Sequence, residues 1–136
     1  MIRKIVKDIL FLGQKSDEAD ESDRQIIEDL KDTLAAHRDG CIGMAANMIG
    51  ERKRIIIVSL GISDLVMVNP VILQRARPYE AEEGCLSLDG VRKTKRFQKI
   101  RVQYLDEHFQ PQIQGFEGST AQIIQHEIDH LNGILI

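Results

Sequence analysis

The stretch Gln125-His126-Glu127-Ile128-Asp129-His130 governs the reading of this chain. Two histidines four residues apart on a helix share one face, one turn apart. Both imidazoles can then reach one small metal ion, and Glu127, beside the first of them, can reach a water on that ion. The pattern is the H-E-x-x-H arrangement of metal-assisted hydrolysis. Flanking residues carry helical signals. Ser119 followed by Gln122 fits a capping box, and Gly133 can stop the helix. Ile124, Ile128 and Leu131 recur at helical spacing, so one stripe faces a core. A helix from about 119 to 131 is predicted.

Catalytic sites of this kind keep three protein ligands and one open position. The candidate third ligand is Cys85, in Glu82-Glu83-Gly84-Cys85-Leu86-Ser87. A thiolate is a strong ligand for zinc or ferrous iron. Gly84, with no side chain, lets the backbone pass close to the site. The competing reading of Cys85 is a small buried residue without chemistry.

Further out, residues 14–23 are polar and acidic and read as a loop, after which Ser22 with Gln25 offers a second capping box. Ile26, Leu30 and Leu34 follow at i, i+4 spacing, predicting a helix over 23–37. Residues 54–60 and 65–69 are β-branched runs, the second closed by Pro70, and 71–74 continue in an extended style. Ile100, Val102 and Tyr104 alternate with Arg101, Gln103 and Leu105, the pattern of a half-buried strand. A turn at 106–110 and a return strand over 111–116 precede the last helix. Short connections between sequential strands predict antiparallel pairing. The fold class is α+β, antiparallel β-sheets packed around the helix that carries the metal motif.

The length, 136 residues, suits a single domain over 1–136. A formal net charge of −3 argues against bulk binding to nucleic acid or to an anionic membrane. The basic cluster Arg92, Lys93, Lys95, Arg96, Lys99 and Arg101 reads mainly as a solvated strand face. Two cysteines make no disulfide framework, and, with no long apolar run after Met1-Ile2-Arg3-Lys4, neither a secretory leader nor a membrane-spanning segment is expected. The expected compartment is the reducing cytoplasm, which suits a thiolate ligand.

Glu83-Gly84-Cys85-Leu86-Ser87 and Gln125-His126-Glu127-Ile128-Asp129-His130-Leu131 resemble two signature motifs of the peptide deformylases. The third motif of that family reads Gly-x-Gly-Leu-Ala-Ala-x-Gln. Here it corresponds to Cys41-Ile42-Gly43-Met44-Ala45-Ala46-Asn47-Met48, in the same order along the chain. The resemblance implies removal of the N-formyl group from the initiator methionine of new polypeptides. It implies a divalent metal on Cys85, His126 and His130, ferrous iron in the cell with zinc or nickel as alternatives. Glu127 would take a proton from water and return it to the departing amine. The Leu86 N–H would be an oxyanion donor. Gly43, Gly84 and Arg96 would meet the substrate main chain, though Arg96 reads equally as one of the solvated basic run. Ile42, Ala81 and Ile123 would line an apolar pocket for methionine, core packing being the alternative for each.

Two positions depart from the motif. Met48 stands where the family has its oxyanion glutamine, and a thioether has no N–H to donate. The adjacent Asn47 carries an amide, but neighbours in an extended segment point to opposite sides. Cys41 replaces a glycine, either as a small buried residue or as one that narrows the pocket. Reduced or altered activity is therefore expected. The competing reading is a metal-holding pseudoenzyme that binds formylated or N-terminal peptides without turnover. A structural zinc domain is a third reading, weakened by the need for four protein ligands. The implied partner is the formylated nascent peptide, with transient ribosome contact. The chain's end at Ile136 puts docking through a C-terminal tail in doubt.

Overall fold

The structure is a computed structural model that describes residues 1–136. After a one-turn helix α1 (Ile9–Leu12) come α2 (Arg24–Ala36), β1 (Gly43–Ala45), β2 (Ile55–Ser59), β3 (Asp64–Cys85), β4 (Leu88–Leu105), β5 (Pro111–Glu117) and α3 (Gly118–Leu131). The five strands form one antiparallel sheet in sequence order. The α+β class and the antiparallel pairing stand as expected, in one continuous sheet.

β2 shows why that sheet sits deep in the fold. Successive strand side chains point to opposite faces, yet Ile55, Ile56, Ile57 and Val58 are all fully buried. Both faces of β2 are therefore covered, and both α2 and α3 pack against it. Ile26, Leu30 and Leu34 from α2 join Ile124, Ile128 and Leu131 from α3 in one 24-residue cluster. Ile100, Val102 and Tyr104 are buried while Arg101 and Gln103 are exposed, as the alternation predicts.

Three boundaries differ from the sequence expectations. Pro70 does not close its strand: β3 runs on to Cys85. A register shift between Val68 and Val71, with Asn69 at φ 51°, carries the chain past the proline. The turn before α2 is capped by Asp20 and Asp23 rather than by Ser22 and Gln25. Asp20 accepts the Ser22 N–H at 2.9 Å and its own N–H donates to Asp23 at 3.0 Å. α3 begins at Gly118, so Ser119 lies inside it, and Glu117 precedes it without a side-chain cap.

The end of α3 follows the glycine rule. Gly133 has φ 74°, its N–H donates to the His130 carbonyl, and the Ile134 N–H donates to that of Asp129. Arg54 places its guanidinium on the Leu131 carbonyl at 3.1 Å and the Asn132 side chain at 3.0 Å, a cation at the negative end of the helix.

The basic run lies on β4, paired with β3 in a long two-stranded ribbon. Lys95 faces Glu80, Lys93 faces Glu82, and Lys99 lies 3.6 Å from Glu117. Acids opposite the lysines balance the outward face, which supports the solvated-strand reading over a polyanion site.

Candidate metal centre and its cavity

Three elements bring the chemistry together. β3 and β4 join through a two-residue turn, Leu86-Ser87, with Cys85 the last residue of β3. α3 crosses the sheet and presents His126 and His130 one turn apart. β1 and the 3-10 turn after it (Ala46–Ile49) close the other side.

Cys85 Sγ lies 3.3 Å from His130 Nε2, which lies 3.2 Å from His126 Nε2. The three donor atoms all fall within 4.8 Å of one another. A sulfur and two imidazole nitrogens at this spacing fit a small divalent cation and leave room for a fourth ligand. Burial lowers the His130 pKa to about 3, so its imidazole stays neutral and offers a lone pair.

His126 is oriented from behind. Its Nδ1 donates to Glu83 Oε1 at 2.8 Å, which leaves Nε2 aimed at the other donors. Burial works against a charged His126, but its hydrogen bonds to Cys85 and Glu83 outweigh that and raise its pKa. Burial likewise works against the Glu83 carboxylate, but hydrogen bonds from His126, Arg96 and Gln122 hold it down at about 2. Arg96 grips Glu83 through Nε at 2.9 Å and Nη2 at 2.7 Å, and Asp129 through Nη1 at 2.6 Å. Arg96 is 3% exposed and does not line the cavity. The expectation of a substrate contact at Arg96 is therefore corrected: its guanidinium is consumed by two carboxylates inside the protein.

Glu127 is buried on the cavity wall, and its Oε1 has no hydrogen-bond partner. Burial pushes its carboxyl up to about 7. It is no surface carboxylate. Gly43 explains how it fits: a Cβ at that position would stand 2.7 Å from Ile123 Cγ2 and 3.0 Å from Glu127 Oε2. At Gly84 a Cβ would meet only the Gly90 carbonyl, at 3.6 Å, so the protein's own packing does not demand that glycine.

The cavity holds about 700 Å³ and is lined by Cys85, His126 and Glu127 together with Ile42, Gly43, Gly84, Leu86 and Ile123. Ala81, expected there, is buried elsewhere. Met48 and Cys41 both line it. The Met48 sulfur accepts the Ala45 N–H at 3.4 Å. Asn47 turns away and donates to the His130 carbonyl at 2.8 Å. Burial pushes the Cys41 thiol up to about 11, and that thiol donates to the Gly43 carbonyl at 2.8 Å.

Four residues carry site roles that the sequence reading does not assign them. Glu83, Asp129 and Gln122 join the network behind His126. Gln125 clamps α3 to β4 by accepting the Phe97 N–H and donating to the Phe97 carbonyl, each at 2.9 Å. Glu83 did leave a signal: it stands two residues before Cys85, hence on the same strand face.

A family model described as polypeptide deformylase matches residues 2–136. A peptide deformylase of Clostridium beijerinckii is 58% identical over 136 residues, covering 100% of both chains. The crystal structure of a peptide deformylase from Legionella pneumophila superposes with a TM-score of 0.90 at 35% identity, covering 99% of this chain and 83% of that one. The Met-Ala-Ser-bound crystal structure of a class I type b peptide deformylase from Acinetobacter baumannii gives 0.88 at 30% identity, covering 99% and 97%.

Proposed function

Because the chain belongs to the polypeptide deformylase family, we propose that it hydrolyses the N-formyl group from the N-terminal methionine of newly made polypeptides, releasing formate. The observation that carries this reading is the clustering of Cys85, His126 and His130, with Cys85, His126 and the unpartnered Glu127 carboxylate lining one cavity. A divalent cation on the first three would polarise the formyl carbonyl and acidify a neighbouring water. Ferrous iron is the proposed cellular ion, with zinc or nickel able to replace it.

This chain's own groups supply the rest. Glu127 takes the proton of the attacking water and hands it to the departing amine. A buried carboxyl with a pKa near 7 can hold that proton between the two transfers. β1 is an edge strand, paired only with β2. A substrate main chain can add along its free side at Gly43, with bare Gly84 across the cavity. Ile42, 57% exposed, and Ile123 receive the methionine side chain. The Leu86 N–H meets the charge that develops on the formyl oxygen. Met48 cannot assist, and Asn47 is spent on the His130 carbonyl. Turnover should therefore fall below that of relatives with an amide at this position.

A formylated nascent chain is met in the cytoplasm, near the ribosome, so a cytoplasmic location and transient ribosome contact belong to the same proposal. A peptide binder without turnover would have no use for Glu127. The test is incubation of iron-loaded protein, prepared without oxygen, with formyl-Met-Ala-Ser. Formate and Met-Ala-Ser should appear in equal amounts; binding of the peptide without release of its amine would overturn the proposal.

A further inference from the structure

Gln122 stands on the cavity-facing row of α3, one turn before His126, and its amide is used at both ends. Nε2 donates to Glu83 Oε2 at 3.0 Å, and Oε1 accepts the Tyr79 hydroxyl at 3.2 Å. This orientation is chemically required. An ionised carboxylate only accepts, so the NH₂ must face Glu83, and the phenol must then donate to the remaining oxygen.

The geometry of β3 makes the link possible. Residues 79, 81 and 83 share one face of the strand, and the small Ala81 stands between the two partners of Gln122. Four donor atoms thereby hold the Glu83 carboxylate. Arg96 Nη2 and His126 Nδ1 donate to Oε1 at 2.7 and 2.8 Å, and Arg96 Nε and Gln122 Nε2 donate to Oε2 at 2.9 and 3.0 Å. Arg96 fixes the carboxylate's plane along one edge. Gln122 is the only donor outside that edge on Oε2 and opposes the carboxylate's rotation.

We propose that Gln122, braced by Tyr79, is a positioning residue for His126. By locking the rotation of Glu83 it sets the ring orientation of His126 and so the hold of the site on its cation. The inference rests on the reading of Cys85, His126 and His130 as metal ligands.

Cobalt(II) is the probe, because its visible bands report ligand geometry directly. Gln122→Met keeps the length and helical fit of the side chain and removes both hydrogen bonds; Tyr79→Phe removes only the brace. Partners behind a metal-bound histidine typically change metal affinity by 10- to 100-fold. Gln122→Met should take up one cobalt per chain with wild-type helix content, shift the visible bands, and lose cobalt to a chelator about 10-fold faster. Tyr79→Phe should shift both readouts the same way by a smaller amount. If both variants match wild type in bands and loss rate while Glu83→Gln changes both, the influence stops at Glu83 and the inference is overturned. A wild-type chain that takes no cobalt overturns the metal reading itself, and this inference with it.

Discussion

The Met48 sulfur and the Ala45 backbone nitrogen stand 3.4 Å apart, a contact that folds the Met48 side chain against its own turn in the cavity wall. A position expected to donate to a developing oxyanion instead accepts from the backbone. Removing one such donor typically costs about 10²–10³ in rate. Met48→Gln should therefore raise kcat, by roughly 10-fold or more where the new amide reaches the oxygen, with little change in KM. Cys41 shares the cavity, so Cys41→Gly with Met48→Gln is the companion. Single-turnover rates at matched iron occupancy check this. Wild-type turnover equal to that of a glutamine-bearing relative would mean another group fills the role.

Gly43 gives a steric prediction. A methyl group there meets Ile123 and Glu127 at once. Gly43→Ala should leave folding intact but displace the Glu127 carboxylate, and a misplacement near 1 Å costs about 100-fold. Adding Ile123→Ala relieves one of the two clashes and should recover part of that loss. Full activity in Gly43→Ala, measured as kcat/KM on formyl-Met-Ala-Ser, would contradict the close approach.

Sequence spacing exposed α3 and the donor triad because helix periodicity and ligand chemistry both leave local marks. Of the ribbon beyond residue 75, the β4 half is legible only as a charged strand face, and the β3 half, 75–85, is not legible as a strand, because its arginines and glutamates follow no apolar alternation. Arg96 was misread for a related reason. Nothing local distinguishes an arginine that reaches into the cavity from one buried against Glu83 and Asp129, residues distant in sequence. The sequence reading sets Asn47 aside on the premise of an extended segment; Ala46–Ile49 is instead a 3-10 turn, and Asn47 donates to the His130 carbonyl.

Glu83 carries a pH signature. Its pKa falls from an ordinary 4.5 to about 2 in the folded chain. A depressed carboxylate contributes stability that is complete above the unfolded value and is lost as pH falls through the folded one. The window therefore runs from about pH 4.5 down to 2, and the contribution is on the order of 3 kcal/mol. Urea unfolding with chelator present, at pH 6 and at pH 3, should show a steeper loss for wild type than for Glu83→Gln. Equal losses would remove Glu83 from the acid response.

The ligand set predicts one divalent ion per chain. His130→Ala and Cys85→Ser should each lose near-stoichiometric loading by elemental analysis. Full retention in His130→Ala would end its assignment as a ligand.

The most direct measurement compares wild type with Glu127→Gln at equal, verified iron content, reading free amine released from formyl-Met-Ala-Ser. The proposed mechanism predicts that the variant keeps its metal and its fold while turnover falls by about 10²-fold or more, the scale of a lost general base. Unchanged turnover in the metal-replete variant would remove Glu127 from the reaction and contradict the account at its centre.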